Sequence, residues 1–338
     1  MATVLVTGGA GYIGSHTIIE LLESGYDVIS VDNFVNSTPE SYTQLSKICN
    51  KDFNHYPVNL CDKEDLKRIF DSHTIDGVIH FAALKAVGES VEQPSKYYRN
   101  NILGMLNLLD LCRDYEIRQF IFSSSCSVYG NVSKLPVTEL TEMSEAQSPY
   151  AYTKQVGERL LSDILTGSKV SSISLRYFNP AGAHPSTKLG ESPINVALNL
   201  IPVITEFAAG KRKNLIINGN DYDTRDGTCV RDYIHVVDLA KAHVLALQYL
   251  EKSEEGINEI INLGIGDGVT ILEAIEAFET VADMKINYEI GPRRDGDVVS
   301  IYADNTKAKK LLGWEPQFGI NDIMSTAWKW EQKRTNGY

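Results

Sequence analysis

Short runs of apolar, largely β-branched residues recur at Val4 to Val6, Val28 to Val31, Tyr56 to Val58, Val78 to Phe81, Phe120 to Phe122 and Ile173 to Leu175. Between them, apolar residues return at helical spacing over His16 to Glu23, Asp62 to Asp71, Tyr97 to Tyr115 and Tyr150 to Leu165. Runs apolar on both faces, separated by helix-length amphipathic stretches, predict βαβ units and an α/β fold with a doubly wound parallel sheet. The rhythm loosens after Tyr177, where Pro180, Gly182, Pro185, Gly190 and Pro193 crowd together. A first domain is therefore expected over residues 1–177 and a smaller C-terminal α/β lobe over 178–338, with a βα return to the first near residues 231–250. The chain shows no internal repeat.

Composition refines this picture by exclusion. Among 338 residues, 44 acidic and 32 basic side chains leave a net charge of −12, which repels phosphate polymers and argues against nucleic acid or an anionic membrane as partner. No apolar run reaches the roughly 18 residues of a membrane span. Met1 leads directly into Val4-Leu5-Val6 without a basic region or cleavage site, so a cytoplasmic protein is expected. Cys49, Cys61, Cys112, Cys126 and Cys229 form no C-x-x-C pair, which predicts reduced thiols and no metal site.

Candidate chemistry begins at the end of the first strand. There Thr7-Gly8-Gly9-Ala10-Gly11-Tyr12-Ile13-Gly14 leads into a helix. Gly8 permits the tight turn, Gly11 lets backbone approach a pyrophosphate at the helix N-terminus, and Gly14 lets the helix pack on the strand. The next strand ends at Asp32, 32 − 14 = 18 residues beyond Gly14. A carboxylate at that place accepts from both ribose hydroxyls and repels a 2′-phosphate, and Asn33-Phe34-Val35-Asn36 offers no arginine to welcome one. NAD is expected over NADP, and the first domain is read as Rossmann-type. The plainer alternative, a glycine turn that only packs, does not account for strand, helix and acid all standing in place.

A second constellation opens a later helix. In Ser148-Pro149-Tyr150-Ala151-Tyr152-Thr153-Lys154, Tyr150 and Lys154 stand at i and i+4 on one face, whereas Tyr152 has no lysine four residues on. A base working near pH 7 needs the phenol's ordinary value of about 10 lowered by roughly three units, about 4 kcal/mol. Lys154 and a cationic nicotinamide can each supply several kcal/mol at an effective dielectric of about 20. Ser123-Ser124-Ser125 ends a strand at the carboxyl edge of the sheet, where ligands bind in such folds. A hydroxyl there can hand a proton to the phenol. Alone, the tyrosine–lysine spacing is commonly an ordinary helix face, but beside the glycine loop it points to catalysis.

These residues, together with His80-Phe81-Ala82-Ala83-Leu84-Lys85-Ala86-Val87-Gly88-Glu89-Ser90, Arg176-Tyr177-Phe178-Asn179-Pro180 and Val230-Arg231-Asp232-Tyr233-Ile234-His235-Val236, resemble the extended short-chain dehydrogenase/reductase superfamily in its UDP-hexose 4-epimerase branch. The likeness runs from Val4 to about Trp330. It implies an isomerase that keeps NAD through turnover, held by Gly8, Gly11, Tyr12, Ile13, Gly14, Asp32, Asn33, Asn36, Ser37, Asn59, Leu60, Phe81, Ala82, Lys85, Asn100, Ser123, Tyr150, Lys154 and Phe178. It implies a UDP-sugar pocket of Lys85, Ser125, Tyr150, Phe178, Asn179, Asn199, Asn218, Arg231, Arg294, Asp297 and Ile301. In the implied chemistry Tyr150 as phenolate takes the proton of the sugar 4′-hydroxyl while hydride passes from C4′ to NAD. The 4-ketose turns over and hydride returns to its other face. Ser125 orients the hydroxyl, Lys154 holds the nicotinamide ribose and keeps the phenol acidic, and Arg231 and Arg294 neutralise the diphosphate.

Four places depart from the family pattern. Asn59 stands where an aspartate often contacts the adenine amino group, Asn218 replaces an aromatic platform for uracil, Asn195-Val196-Ala197-Leu198-Asn199 keeps only the second asparagine of a Gly-Ile-Pro-Asn-Asn segment, and Ile301 stands where tyrosine is frequent. By the resemblance Ile301 faces the sugar's C2′ side and leaves room for an N-acetyl group, so the UDP-N-acetylhexosamine pair is an expected second substrate. Burial in a core is the other placement natural to isoleucine. The resemblance also implies a homodimer through the helix from Tyr97, with Ile102, Met105, Leu106, Leu109 and Cys112, and the helix from Tyr150; a helix simply lying on the sheet is the alternative. A 4-epimerase of a UDP-uronic acid or UDP-pentose, or a catalytically silent NAD-binding sensor, are the rival functions. A nucleotide-sugar dehydratase typically needs an acid beside the strand-end hydroxyl, and Ser125-Cys126-Ser127 has none.

Overall fold

In the computed structural model, which describes residues 2–194, 196–254, 256–294 and 297–335, the apolar runs become one parallel sheet. Its strands are β1 (Thr3–Thr7), β2 (Asp27–Val31), β3 (Asn54–Tyr56), β4 (Gly77–His80), β5 (Gln119–Ser125), β6 (Ser171–Tyr177) and β7 (Asn258–Leu263). They lie in the order β7-β6-β5-β4-β1-β2-β3, every pairing parallel. Alternate residues of each run enter opposite cores. Val4, Val6, Ile79, Ile121 and Ile173 pack under α1 (Tyr12–Glu23) and α6 (Val236–Lys252), while Leu5, Ile29, Val78, Phe120 and Phe122 pack under α3 (Lys63–Ser72), α4 (Gly104–Asp114) and α5 (Pro149–Leu165). The inner strands therefore have no face open to water.

The six expected strands all form, with β3 shifted to Asn54–Tyr56. The seventh, β7, extends the return to the first domain past residue 250. Asn258, Glu259 and Asn262 interrupt its apolar pattern, as suits an edge strand with one open side. A further helix, α2 (Glu40–Cys49), covers the sheet beside α1. The expected helix Tyr97 to Tyr115 is continuous but widened: a turn at Pro94–Tyr97 passes into a π-helical segment, Tyr98–Leu103, before α4 begins, the backbone staying helical at both junctions. Such widened turns recur at functional sites because the extra residue redirects side chains. Met105, Leu109 and Cys112 are buried in this chain's own core, so these three follow the alternative of a helix lying on the sheet. The outward residues there are Tyr98, Leu103 and Tyr152, with the Tyr98 and Tyr152 rings edge to face at 6.1 Å.

The second lobe gathers Leu200–Ala208, Ile271–Ala282 and Ile320–Thr335 around Ile201, Ile204, Phe278, Ile323 and Met324. Its strands are only two or three residues long. Asn179–Ala181 pairs with Tyr233–His235, Ile216–Asn218 with Glu289–Gly291, and Val230–Arg231 lies between Val269–Thr270 and Ser300–Ile301. Because β6 runs through Tyr177 and Phe178 directly into Asn179, the lobe sits over the carboxyl ends of the strands. Ligands bind at that edge in open α/β sheets. Among the described residues no helix is long and apolar enough to cross a membrane.

The closest backbone approach in the sheet's first turn gives a test of the fold. A Cβ on Gly14 would strike the Gly8 carbonyl oxygen and lie 2.9 Å from Gly9 Cα, backbone atoms that cannot swing aside. Gly14→Ala is expected to cost about 2 to 4 kcal/mol, read as a lower denaturant midpoint at unchanged slope.

Candidate active site

The glycine loop separates two roles. Gly8 has φ +72°, and an added Cβ would sit 2.7 Å from Ala82 N, so Gly8 serves the turn and Gly14 the packing. Around Gly11 an added Cβ meets only the Gly8 oxygen, at 3.2 Å. Gly11 is also the N-cap of α1, with no capping side chain and no acid in the first turn. Open space above an uncapped helix N-terminus is a cradle that a pyrophosphate fits. Asp32 lies beside it, and its carboxylate also builds the loop: Oδ2 accepts from Ala10 N at 3.0 Å, and Oδ1 from Phe34 N and Ser37 Oγ at 2.8 Å each. Ser37 therefore acts through Asp32. Asn33 closes a local turn by accepting from Val35 N at 3.2 Å, and Asn59 does the same for Cys61 N at 3.0 Å. The Asn59 oxygen expected to face adenine thus already holds one backbone donor. Leu60 is buried, with its carbonyl held by Asn107; Phe81 packs on His243 with ring centroids 4.7 Å apart; Ala82 N donates to Thr7 Oγ1 at 3.4 Å.

At the carboxyl edge, Ser125, Tyr150 and Lys154 converge. Ser125 ends β5, and its hydroxyl accepts from Ser127 N at 3.2 Å and lies near the Tyr150 phenol. Lys154 is buried, donates to Ser123 O at 2.6 Å, and lies 5.9 Å from the Tyr150 ring centroid and 5.0 Å from that of Phe122. Burial pushes the phenol up to about 12, opposed by the Ser125 hydroxyl, and pulls the lysine down to about 8, opposed by Glu158. The expected acidification of the phenol by Lys154 is therefore not made by the chain alone.

Sequence reasoning missed the support behind this triad. Glu158, one turn beyond Lys154, takes Arg176 in a two-pronged ion pair, Nε to Oε1 at 2.9 Å and Nη2 to Oε2 at 2.6 Å, and also accepts from Ser124. Tyr177 and Ser123 share a hydrogen bond between hydroxyls. The i, i+4 spacing of Lys154 and Glu158 was the available signal. In the π-helical segment Asn100 donates to Asn101 Oδ1 at 3.0 Å, and buried Asn101 ties Leu84 N and O and Thr153 Oγ1 at 2.9 to 3.1 Å. That network fixes the loop carrying Lys85.

From the second lobe, Phe178 is buried and Asn179 half-buried. Asp297 Oδ1 accepts from both Arg231 Nη2, at 3.3 Å, and Arg294 Nη2, at 2.7 Å, while Arg231 Nη1 donates to Val298 O at 2.7 Å. Asn199 Nδ2 donates to Glu191 Oε1 at 3.2 Å, and Lys85 Nζ stands 3.5 Å from the same carboxylate. Asn218 is exposed at the end of its strand.

The full-length comparisons decide the family. A family model described as GDP-mannose 4,6 dehydratase matches residues 5–327. The UDP-glucose 4-epimerase of Bacillus subtilis is 45% identical over 336 residues, 99% of this chain and 98% of the relative. That of Drosophila melanogaster is 46% identical over 343 residues, with 99% and 98% covered. The crystal structure of UDP-glucose 4-epimerase from Bifidobacterium longum in complex with NAD+ and UDP superposes with a TM-score of 0.95 at 46% identity, both chains fully covered. The chain belongs to the UDP-glucose 4-epimerase family. A UDP-Glc/GlcNAc 4-epimerase from Campylobacter jejuni is similar at a TM-score of 0.85 and 36% identity, over 98% of this chain and 99% of that one.

Within this epimerase fold Ile301 takes the core placement. Only 4% exposed, it packs with Val128, Tyr129, Val137, Phe178 and Ala303 at the junction of the lobes. That burial is the core placement named as the alternative to a place on the sugar wall. Ile301→Tyr is expected to overpack the cluster by about 1 to 3 kcal/mol, lowering the melting temperature while the ratio of UDP-N-acetylgalactosamine to UDP-galactose turnover stays constant. Selective loss of the N-acetyl activity at full stability would return Ile301 to the sugar wall.

Proposed function

We propose that this chain interconverts UDP-glucose and UDP-galactose, with NAD retained on the Gly8–Gly14 cradle. The observation that carries this reading is the convergence of Ser125, Tyr150 and Lys154 at the carboxyl edge of the sheet beside an open, uncapped helix terminus. Full-length similarity to UDP-glucose 4-epimerases, one of them solved with NAD+ and UDP, supports it. Bound NAD supplies a reversible hydride acceptor for C4′. Tyr150 removes the proton of the 4′-hydroxyl and returns it after the ketose has turned. Ser125, at the end of β5 near the phenol, orients that hydroxyl and shortens the proton's path. Lys154, anchored on Ser123 O, keeps a cation within reach of the phenolate as it forms. Arg231 and Arg294, sharing Asp297, offer planar forks to the diphosphate. Asp32 presents its remaining lone pair to the ribose and disfavours a 2′-phosphate there.

The quaternary proposal is a homodimer. Tyr98, Leu103 and Tyr152 are exposed apolar or aromatic side chains on neighbouring turns, with Ile102 and Leu106 half-buried nearby, a surface suited to a two-fold helical interface. Light scattering at micromolar concentration should return twice the 37.5 kDa chain mass; a monomer would discard this proposal.

Removing one oxygen tests the chemistry. Tyr150→Phe keeps the ring and its packing, so it should retain NAD and UDP binding while turnover of UDP-galactose falls roughly 10²- to 10⁴-fold. Near-normal turnover in a coupled assay would place the base elsewhere.

A further inference from the structure

Three basic side chains of the expected pocket are each paired with a sheltered acid of the second lobe. Arg231 and Arg294 share Asp297, whose side chain is 12% exposed while that of Arg294 is 59% exposed. Lys85 repeats the arrangement: its side chain is 61% exposed and its ammonium stands 3.5 Å from Glu191, again 12% exposed. Asp297 is part of the expected pocket, but Glu191 is not. Its carboxylate nevertheless meets two of the expected ligand residues and acts on a third through its charge. Besides Lys85 it accepts from Asn199 Nδ2 at 3.2 Å, and together with burial it pushes the Tyr12 phenol above its usual range. That phenol donates to Gly182 O at 2.6 Å, crossing from the first domain to the second lobe.

The backbone around Glu191 is fixed. Its carbonyl accepts from Trp330 Nε1 at 2.9 Å, Gly190 bridges to Ala183, and a Cβ on Gly190 would sit 2.6 Å from the Trp330 ring. Lysine, by contrast, is a point charge on a flexible stem that loses rotamer entropy when ordered. A rigid acid behind a flexible base orders it before any ligand arrives. We propose that Glu191 is a positioning residue for the nucleotide sugar: it aims Lys85 from the first domain and Asn199 from the second lobe at one ligand, so that a single carboxylate sets their separation across the cleft. This rests on the proposed function for the identity of the ligand. The opposite sign is physically available, since an anion near a diphosphate repels it. At 3.5 Å from Lys85 the carboxylate is spent on the ammonium, and the ordering effect is expected to win.

The test measures UDP binding by calorimetry and UDP-galactose kinetics on the protein as purified. Glu191→Gln keeps size and an acceptor for Asn199 but removes the charge facing Lys85. It should weaken UDP binding and raise KM about threefold to tenfold, with kcat within about twofold and the melting temperature unchanged. Lys85→Met should lose a similar factor, and the double variant no more than the larger single loss, because both changes break one unit. Unchanged or tighter UDP binding by Glu191→Gln, or losses that multiply in the double variant, would overturn the inference. If Glu191→Gln does not fold, Glu191→Asp, which draws the charge back, enters the same cycle with the same criteria. Wild type that binds UDP but does not convert UDP-galactose would sink the proposed function and leave the binding cycle to judge Glu191. Wild type that does not bind UDP would overturn both.

Discussion

The angular setting of α5 depends on one buried ion pair. Arg176 of β6 and Glu158 of α5 have side chains only 2% and 6% exposed, so both charges have left water at a cost of several kcal/mol each. What offsets the cost is geometry: two parallel N–H···O contacts, a hydroxyl from Ser124, and the Tyr129 ring 4.8 Å from the guanidinium carbon. Replacing such a pair by apolar residues often leaves stability unchanged, so its presence is weak evidence for a stability role. Its directional effect is clearer. A helix packed only through Leu161 and Leu165 has rotational latitude, whereas two fixed oxygens on Glu158 bind its face to β5 and β6. Lys154 and Tyr150, one and two turns back, inherit that orientation.

The floor built this way is electrostatically reluctant. Burial holds the phenol protonated, up at about 12, and makes the lysine surrender its proton near 8. Both shifts favour the neutral forms, the signature of desolvation with charge partners too few to offset it. The lysine's lowered value means that its charged form weighs against folding below about pH 8, a penalty that fades as pH rises toward its ordinary value near 10.5. The phenol's raised value weighs the other way, since ionising it above pH 10 disfavours the folded state. Charge brought by a ligand therefore acts on two groups that burial alone holds toward their neutral forms.

How much of this was legible follows from length and periodicity. The sheet was, because runs such as Val4-Leu5-Val6 and Phe120-Ile121-Phe122 are apolar at successive positions and can only be covered on both faces. The triad was legible because a helix converts i, i+4 into contact. β7 was not, since Asn258, Glu259 and Asn262 hide an edge strand among loop-like residues. The second lobe's strands were not, since two residues such as Val230–Arg231 carry no period. The π-helical widening within Tyr97 to Tyr115 was invisible for the opposite reason, a helical pattern continuing through it. Asn101, Glu158 and Glu191 escaped because a polar side chain looks the same in sequence whether it faces water or is held by a lysine or a backbone amide brought in from far along the chain.

A net charge of −12 would ordinarily repel a pyrophosphate and a nucleoside diphosphate. The acids in this cleft do not simply add to that repulsion, because they stand behind the bases. Asp297 carries two guanidiniums and Glu191 an ammonium and an amide, each acid sheltered and each partner base, except half-buried Arg231, well exposed. A phosphate entering as proposed would meet the exposed ammonium and guanidinium groups before the sheltered carboxylates. The arrangement cuts both ways. Ordering the bases lowers the entropic cost of binding, while the carboxylates hold part of each base's hydrogen-bonding capacity and compete with the ligand for it. The net effect is a site whose grip is set by differences between contacts and not by their sum, which suits a reaction whose substrate and product differ at a single carbon and must both be released.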